Sequence, residues 1–526
     1  MTIVMTRPQG AARGASRGSA SGELAIGRWI RDRALVTPGR VAIEFGDERI
    51  SYAELDARCE ALACALVGLG LRRGDRVASL TRNSPEHVEL FFACAKAGLV
   101  LTPLSWRSAP AELTYQLSDA EPAALFVQPH HDPLADAAMA RAARPCRRLV
   151  LARAELDALA TEHATWQLDV SVDDGDDLLL LYTSGTTGRP KGARLTHRNC
   201  FWTNLSLDRT SEMSGTEVVL QVLPQFHVGG WNVQPLLAWW KGATVVLEPA
   251  FDAGRVLELV EDRRVTTMMG VPANYLFMAT DPRFPRADLS SLRQAIVGGG
   301  PMPEALLQTW HEHGVAIIQG YGLTEASPNV LCLPAEEAVR RVGWAGKPYP
   351  HVEAALADPA SDALIAGPGT GELLVRGPGV FAGYWRDEVA TAAALRNGWL
   401  HTGDIAERDA EGFYRIRDRL KDMYVSGGEN VYPAEVEAVL HEHPAIADAA
   451  VLGMPDERWG EVGMAVAVLR TGRSANETEL LAFCRERLAG FKTPRTVRFA
   501  SQLPRSPSGK LLKRELRERL GQEESP

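Results

Sequence analysis

Lysine is scarce in this sequence: eight of the 57 basic residues are lysines, which leaves 49 arginines. Since arginine fills most surface roles of a positive charge, a remaining lysine is a candidate for a task that needs a compact cation against phosphate or carboxylate. Chance is the alternative explanation. Against chance, Lys191, Lys421 and Lys510 each lie in glycine-rich or loop-like segments, and we take them as candidate functional residues.

Other absences exclude whole classes of protein. The seven cysteines are scattered, odd in number and without a Cys-x-x-Cys pair, which favours reduced thiols in a cytoplasmic enzyme over a disulfide framework or a zinc site. No apolar run approaches the roughly 20 residues of a membrane-spanning helix, so we expect no membrane span. The net charge of −9 supplies no basic field, so we expect no nucleic-acid partner.

The length and texture of the chain predict several domains. A chain of 526 residues exceeds one compact core. Residues 1–22 are rich in Gly, Ala, Ser and Arg and contain no acidic residue; we interpret them as a disordered leader, with a transit peptide as the alternative. After Ala335, Gly- and Pro-punctuated short strands indicate a small β-barrel or hairpin-rich layer. A boundary at 419–422 precedes an α+β unit of roughly 100 residues.

Short β-branched runs alternate with amphipathic stretches from residue 41 onward, which predicts βαβ units and largely parallel sheets. Ser84 and Asn476 are predicted helix caps. Residues 130–167 are predicted as peripheral helix, and the histidines there are not interpreted as a metal site because no further ligand is spaced to join them. The fold class is therefore α/β, with a large N-terminal domain over 23–418 and a smaller C-terminal domain over 423–526.

Residues 181–192, here called the phosphate loop, carry the most specific local pattern. An apolar strand runs into four hydroxyls, three glycines and one lysine. Glycines let backbone N–H groups approach an anion, hydroxyls donate to its oxygens, and the lysine supplies countercharge, which predicts a polyphosphate site. The spacing differs from a Walker A loop, and a plain surface loop is the alternative. The predicted ligands are Thr183, Ser184, Gly185, Thr186, Thr187, Gly188 and Lys191.

The phosphate loop resembles the signature loop of the adenylate-forming superfamily, which includes acyl-CoA synthetases, firefly-type luciferases and the adenylation domains of peptide synthetases. Further motifs of that superfamily follow in the same order, and the resemblance covers about residues 25 to 520. Together these motifs are specific, whereas each alone would be weak. They are Pro224–Gly229, Val297–Pro301, Gln319–Glu325, Gly398–Asp404, Arg419–Asp422, Ser426–Asn430 and Ser506–Lys510.

The resemblance implies ATP, Mg²⁺ and CoA as cofactors and a set of residues for the nucleotide. A hydroxyl and a carboxylate beside the phosphate loop suit Mg²⁺, and the resemblance assigns the ion to Glu325 and Thr183. One carboxylate accepts hydrogen bonds from both ribose hydroxyls, the role implied for Asp404, with a turn residue as the alternative. An aromatic plane against a backbone strip, at Tyr321, makes a slot for adenine. The other implied nucleotide residues are Gly299, Gly300, Pro301, Gly320, Gly322, Thr324 and Arg419.

The acyl side of the site is less determined by the sequence. His227 alone would be interpreted as a core histidine, but the resemblance places it between the acyl and pantetheine channels. Trp231 is either a core residue or a gate to an acyl tunnel, as in long-chain members of the family. Four residues of this region are small, which predicts a roomy pocket without a charged group: Gly229, Gly230, Gly322 and Ser327. The predicted acyl-pocket residues are His227, Val228, Gly229, Trp231, Gly322 and Ser327.

The remaining implied roles lie near and beyond the boundary at 419–422. Lys510 matches the lysine of the adenylation step, where charge builds between carboxylate and α-phosphate; a solvated lysine is the alternative. The resemblance implies that 419–422 is a hinge about which a mobile C-terminal domain swings, with Lys421 at the hinge position. Gly427, Gly428 and Trp459 match positions that contact CoA. Thr493 replaces a base of some relatives and leaves the CoA 3′-phosphate contacts open.

These inferences predict an ATP-dependent acid–CoA ligase that forms an acyl-adenylate, releases pyrophosphate, and transfers the acyl group to CoA with loss of AMP. A medium- to long-chain fatty acid is the predicted substrate, with an aryl acid as the alternative. An amine or a carrier protein is the alternative to CoA as the acyl acceptor. A catalytically inactive scaffold protein is the alternative to an enzyme. A scaffold has no need for Lys191, Glu325, Asp404 and Lys510 together. We expect a monomer or homodimer with small-molecule partners.

Overall fold

The structure, a computed structural model, describes residues 22–183, 190–300, 302–426, 429–456, 459–488, 490–505 and 511–523. The predicted leader lies outside these residues except for Gly22. Within them, no helix combines the length and the apolar character that crossing a membrane requires. The site predictions that also fall outside the described residues are Ser184, Gly185, Thr186, Thr187, Gly188, Pro301, Gly427, Gly428 and Lys510.

Strands and helices alternate through the first 330 residues, as the sequence pattern predicts. The strands of the described ranges are β1 Val41–Phe45, β2 Glu48–Ser51, β3 Arg76–Leu80, β4 Val100–Leu104, β5 Ala124–Val127, β6 Arg147–Val150, β7 Asp177–Thr183, β8 Lys191–Thr196, β9 Val218–Gln221, β10 Thr244–Leu247, β11 Thr267–Gly270, β12 Gln294–Val297, β13 Ile317–Gly322, β14 Asn329–Cys332, β15 Lys347–Pro348, β16 Glu353–Ala357, β17 Leu364–Ile365, β18 Gly369–Arg376, β19 Leu395–Arg396, β20 Trp399–Arg408, β21 Tyr414–Arg419, β22 Tyr424–Ser426, β23 Glu429–Val431, β24 Ile446–Asp456, β25 Gly460–Leu469 and β26 Thr496–Phe499.

Some of the helices begin at a residue whose side chain caps them. Ser84 accepts a hydrogen bond from His87 N, and Asn476 accepts one from Glu479 N, which confirms both predicted caps. The helices are α1 Arg28–Val36, α2 Tyr52–Gly68, α3 Pro85–Ala97, α4 Pro110–Ala120, α5 Asp132–Met139, α6 Arg153–Glu162, α7 His197–Ser211, α8 Gly229–Asn232, α9 Pro235–Lys241, α10 Ala253–Asp262, α11 Pro272–Thr280, α12 Glu304–Glu312, α13 Glu388–Ala394, α14 Pro433–His441, α15 Glu477–Arg485 and α16 Lys513–Glu523.

Two largely parallel sheets form the N-terminal part. One has the order β6-β5-β3-β4-β7-β8, and the other has the order β15-β14-β13-β12-β11-β9-β10-β1-β2. Residues of both sheets and of α3 share one hydrophobic cluster, so α3 is buried between them. This arrangement brings the ends of β7 and β13 to a common edge, as parallel strands in doubly wound sheets do.

The later strands form two antiparallel layers. The order β17-β16-β18-β20-β19, with β21 added to β20, matches the predicted hairpin-rich layer. The order β23-β22-β25-β24, with β26 beside β25, packs against α14 and α15 around a core of its own. A separate core after residue 423 agrees with the predicted C-terminal α+β unit.

One prediction about the fold is wrong. Residues 130–167 are not helical throughout, because β6 crosses this segment and pairs in parallel with β5. The strand carries Arg147 and Arg148 and is only partly buried at the edge of its sheet. An edge strand needs no apolar run, so the sequence pattern did not reveal it.

Candidate active site

The phosphate loop spans a β-hairpin between β7 and β8. Thr183 at the end of β7 pairs with Lys191 at the start of β8. The predicted ligands between them lie outside the described residues. The hairpin therefore places the first hydroxyl and the lysine of the predicted polyphosphate site at the same sheet edge.

Glu325 lies on a 3-10 turn, Thr324–Ala326, directly after β13. Its Oε1 accepts a hydrogen bond of 2.8 Å from the Tyr384 hydroxyl and lies 3.5 Å from Oγ1 of Thr183. Lys191 Nζ lies 5.1 Å from the centre of the Tyr384 ring. The structure therefore brings together three predicted residues, Thr183, Lys191 and Glu325, around one residue that the sequence analysis missed, Tyr384.

Tyr384 stays protonated at any pH of interest. Burial and the adjacent Glu325 carboxylate raise the pKa of its hydroxyl well above the ordinary value. Its hydroxyl is therefore a permanent donor that orients Glu325. The backbone N–H of Phe381 also donates to the main-chain carbonyl of Glu325 at 2.9 Å, so the segment before α13 holds both the backbone and the carboxylate of this residue.

Asp404 lies in β20, where it accepts a hydrogen bond from one side chain and forms an ion pair with another. The Tyr321 hydroxyl donates to its Oδ2 at 2.5 Å, and Arg419 Nε lies 2.6 Å from its Oδ1. Burial and the Asp404 charge raise the pKa of Tyr321 well above its ordinary value. Burial alone would lower the pKa of Arg419, but Asp404 and the other acidic groups nearby together outweigh burial, so the net shift of that pKa is upward. Three residues predicted for adenine and ribose thus form one group in which the charges of Asp404 and Arg419 balance. Asp404 is buried, and Tyr321 and Arg419 are partly exposed.

Gly299 and Gly300 are exposed backbone beyond β12, next to the strand that carries Tyr321. Gly299 has φ +78°, a conformation that favours glycine. A Cβ on Gly300 would meet no atom nearer than 4.0 Å. This strip and the Tyr321 ring fit the predicted adenine slot, and the oxygens of Glu325 and Thr183 are the hard donors that Mg²⁺ prefers.

His227 lies in the loop between β9 and α8. Burial, helped by the charge of Arg107, lowers the pKa of His227 to about 4. Its Nε2 is buried and has no hydrogen-bond partner among the described residues. A neutral, partly exposed imidazole with an unused ring nitrogen is compatible with a residue that meets substrate.

Trp231 is a core residue in this structure. It is 0 % exposed, stacks on Phe91 at 4.5 Å, and donates from Nε1 to the Gln225 carbonyl at 2.6 Å. Gln225 in turn contacts Nδ1 of His87 at 3.2 Å. A side chain fixed on several sides lines no open tunnel here, so the placement supports the core alternative over the gate.

The prediction of a roomy, uncharged pocket from small residues needs correction. A Cβ on Gly230 would lie 2.4 Å from the Pro224 carbonyl oxygen, and one on Gly322 would lie 1.7 Å from that of Pro328. These glycines permit close backbone packing and do not widen a cavity. Ser327 is fully buried. Val228 is nearly buried, and Gly229 alone keeps space beside it.

A cation that the sequence analysis missed lies close to this region. Arg107 acts on the His227 pKa, and its guanidinium lies 4.8 Å from the ring centre of Trp106. Arg82 lies 4.9 Å from the same ring. The acyl side of the site is therefore less neutral than predicted. In the sequence, only the tryptophan before Arg107 marked this position.

The predicted hinge and CoA residues are only partly described. Lys421 is exposed on a turn after β21, and Trp459 is 41 % exposed on the turn between β24 and β25. Asp418 accepts a hydrogen bond of 2.8 Å from Ala434 N across the predicted hinge. Burial raises the pKa of Asp418 to about 6.

Comparisons with known proteins agree with this geometry. The family described as AMP-binding enzyme matches residues 30–385, and the one described as AMP-binding enzyme C-terminal domain matches residues 435–510. Feruloyl-CoA synthase of an Amycolatopsis species is 44 % identical over 94 % of this chain and 99 % of its own length. Indoleacetate–CoA ligase of Aromatoleum aromaticum is 40 % identical over 94 % and 98 %. The long-chain-fatty-acid–CoA ligase FadD13 of Mycobacterium tuberculosis is 38 % identical over the same shares.

Solved structures give the same result. ATP-bound MatB from Rhodopseudomonas palustris superposes with a TM-score of 0.87 at 33 % identity, over 94 % of this chain and 98 % of MatB. The o-succinylbenzoate CoA synthetase of Bacillus subtilis with its acyl-adenylate has a TM-score of 0.83 at 32 % identity, over 93 % and 97 %. The fold and site thus define an adenylate-forming enzyme. The chain belongs to the AMP-binding enzyme family and, within it, to the ATP-dependent acid–CoA ligases, which use ATP, Mg²⁺ and CoA.

Proposed function

We propose that this enzyme joins CoA to a compact, apolar aromatic acid, such as a hydroxycinnamic or indolic acid, through an acyl-adenylate. The observation that carries the choice of acid is the packing of Trp231. A long alkyl chain needs a tunnel, but Trp231 and the Phe91 ring stacked on it are both fully buried, so no open channel runs along these two side chains. A flat ring needs no tunnel.

The relatives support the same choice. The two most similar kinds of relative described above act on feruloyl and indoleacetate groups, and the fatty-acid ligase is less similar. The fatty-acid substrate predicted from the sequence therefore stays a prediction, and its aryl alternative is favoured. CoA as the acceptor, rather than an amine, agrees with every relative named here.

The site residues divide the work of the first half-reaction. Glu325 and Thr183 would hold Mg²⁺, which neutralises phosphate charge when bound. Lys191 adds a cation beside the same group, and Lys510 is proposed to act between carboxylate and α-phosphate, where countercharge stabilises the transition state. Asp404 would bind the ribose, and Tyr321 the adenine.

Binding an uncharged ring in this site agrees with the neutral state of His227. Desolvation disfavours the imidazolium, so His227 adds no charge to the acyl side. Arg107 is exposed and its charge reaches His227, so a second carboxylate on the acid would find a cation near the acyl side. This makes dicarboxylic acids a useful probe.

The proposal is tested with kcat/KM for AMP release in the presence of CoA, using ferulate, indoleacetate, octanoate, palmitate and 2-succinylbenzoate singly. We expect the first two to exceed the fatty acids by at least about tenfold, since a bound ring buries more apolar area without a tunnel. A preference for palmitate would overturn the aryl assignment. A preference for 2-succinylbenzoate would show that a cation, with Arg107 the candidate, binds the second carboxylate.

A further inference from the structure

A register shift in the antiparallel layer coincides with the predicted ribose ligand. Glu372 of β18 faces Ile405 of β20, and Leu374 faces His401. Leu373 of β18 therefore faces three residues of β20. We call these three residues, Thr402, Gly403 and Asp404, the ribose-side bulge. Bulges re-aim side chains at the cost of ladder hydrogen bonds.

Side chains replace the hydrogen bonds that the bulge loses. Oε1 of Glu372 accepts from Gly403 N at 3.0 Å. The Thr402 hydroxyl donates to the Leu373 carbonyl at 2.7 Å and accepts from Asp404 N at 3.1 Å. Gly403 has φ +68°, which favours glycine at the centre of the bulge. The orientation of Asp404 therefore depends on Glu372 as well as on its own neighbours.

Glu372 is itself fixed by His401. Nδ1 of His401 lies 2.9 Å from Oε2 of Glu372, and their side chains are 4 % and 5 % exposed. A buried carboxylate is costly unless both oxygens are satisfied. Here one oxygen is used by the bulge and the other by the imidazole. An apolar residue at 372 would pack in a sheet at lower cost, but it could not accept from Gly403.

The same carboxylate also belongs to a group that resembles a cation site. Oxygen and nitrogen atoms of Asp362, Glu372 and His401 lie within 4.8 Å of one another. However, Arg396 bonds both oxygens of Asp362 at 3.2 Å and lies 3.8 Å from Glu372. The guanidinium supplies the countercharge that a metal ion would bring, so the geometry favours a support for the bulge.

We propose that Glu372 and His401 are positioning residues for ribose recognition: His401 holds Glu372, and Glu372 holds the bulge that presents Asp404. This inference rests on the proposed role of Asp404 as the ribose ligand. The bulge also accepts from Leu420 N through the Gly403 carbonyl at 2.9 Å, so the support reaches the first residues of the predicted hinge.

The experiment measures discrimination between ATP and its 2′-deoxy and 3′-deoxy analogues, as the ratio of kcat/KM in pyrophosphate exchange. The variants are Glu372→Leu, His401→Leu and the conservative Glu372→Gln and His401→Asn, each with its Tm. Asp404→Asn is the benchmark. Asp362→Asn is the matched control, because it removes a partner of Arg396 and leaves the bulge contacts intact.

We expect the wild type to prefer ATP by roughly ten- to hundredfold, the range of a hydrogen bond to a charged group. Asp404→Asn and both leucine variants should reduce this ratio to a few-fold. His401→Asn, which keeps a donor, and Asp362→Asn should keep most of it. Glu372→Gln should lie between them and remains informative if a leucine variant fails to fold.

The outcomes separate the proposed ribose role of Asp404 from the positioning role of Glu372 and His401. If Asp404→Asn keeps the full ratio, Asp404 is not the ribose ligand, and the positioning role fails with it. If Asp404→Asn loses the ratio while folded Glu372 and His401 variants keep it, only the positioning role is overturned. An equal loss in Asp362→Asn would also overturn it, because the effect would then belong to the whole charged group.

Discussion

Tyr384 donates a 2.8 Å hydrogen bond to Oε1 of Glu325, across 59 residues of chain. The same oxygen lies 3.5 Å from the Thr183 hydroxyl, so one carboxylate joins the phosphate loop, the end of β13 and the segment before α13. We regard this contact as the centre of the proposed Mg²⁺ and phosphate site.

Removing the Tyr384 hydroxyl should weaken the response to Mg²⁺. In Tyr384→Phe the ring that faces Lys191 stays, but Glu325 loses its donor. We expect the half-saturating Mg²⁺ concentration in pyrophosphate exchange to rise about tenfold, the value of a hydrogen bond to a charged group. The control is Tyr52→Phe, which removes a 2.6 Å hydrogen bond to the Ala243 carbonyl away from the site. Equal shifts in both variants would show that the effect is not specific to Glu325.

Trp231→Ala should act mainly on stability. Because the side chain is fully buried and stacked on Phe91, we expect a loss of about 3–5 kcal/mol in the free energy of unfolding. Trp166→Ala, at a 49 % exposed tryptophan, should change it by less than about 0.5 kcal/mol. Denaturant unfolding measures both. A stable Trp231→Ala enzyme that accepts longer fatty acids would instead support the gate.

Stability should fall as the pH falls below 6.5, partly because of His197. This residue is fully buried, and burial lowers its pKa to about 4. Between pH 6.5 and about pH 4, the unfolded chain binds a proton at His197 that the folded chain does not bind. The free energy of unfolding therefore decreases on acidification. From pH 7 to pH 5, wild type should lose about 2 kcal/mol more than His197→Asn, at about 1.4 kcal/mol per pKa unit. Identical pH slopes in denaturant unfolding would refute this.

Different single substitutions should impair the two half-reactions. Lys510→Ala should slow adenylate formation at least about hundredfold, yet leave transfer from synthetic acyl-adenylate to CoA intact. Gly428→Leu should do the opposite by obstructing the proposed pantetheine channel. Pyrophosphate exchange and thioester formation are measured side by side. Equal damage to both assays in either variant would count against two conformations.

The sequence predicted the parts of this account that depend on local pattern. The alternation of strands and helices, both caps and the order of the motifs are local signals, and the structure brings Thr183, Lys191 and Glu325 together as their motifs imply. The predictions that failed concern contacts between residues that are far apart in the sequence. Tyr384 reaches Glu325 only through the tertiary fold, and Gly322 looks like open space until the Pro328 carbonyl is placed against it.

The bulge in β20 shows the same limit. The alternation of residues along a single strand carries no information about its pairing partner. It therefore cannot reveal that three residues of β20 face one residue of β18. The Thr-Gly-Asp motif indicated a site, but the dependence of Asp404 on Glu372, 32 residues earlier, required the register of the two strands.

The central claim is that an acyl-adenylate forms in this site before CoA reacts. The most direct measurement is a rapid quench of enzyme, Mg²⁺-ATP and ferulate without CoA, with the products quantified by mass spectrometry. We predict about one enzyme-bound feruloyl-AMP per site with an equal amount of pyrophosphate, and conversion to feruloyl-CoA and AMP when CoA is added. Formation of ADP and phosphate, or no nucleotide adduct until CoA is present, would contradict it.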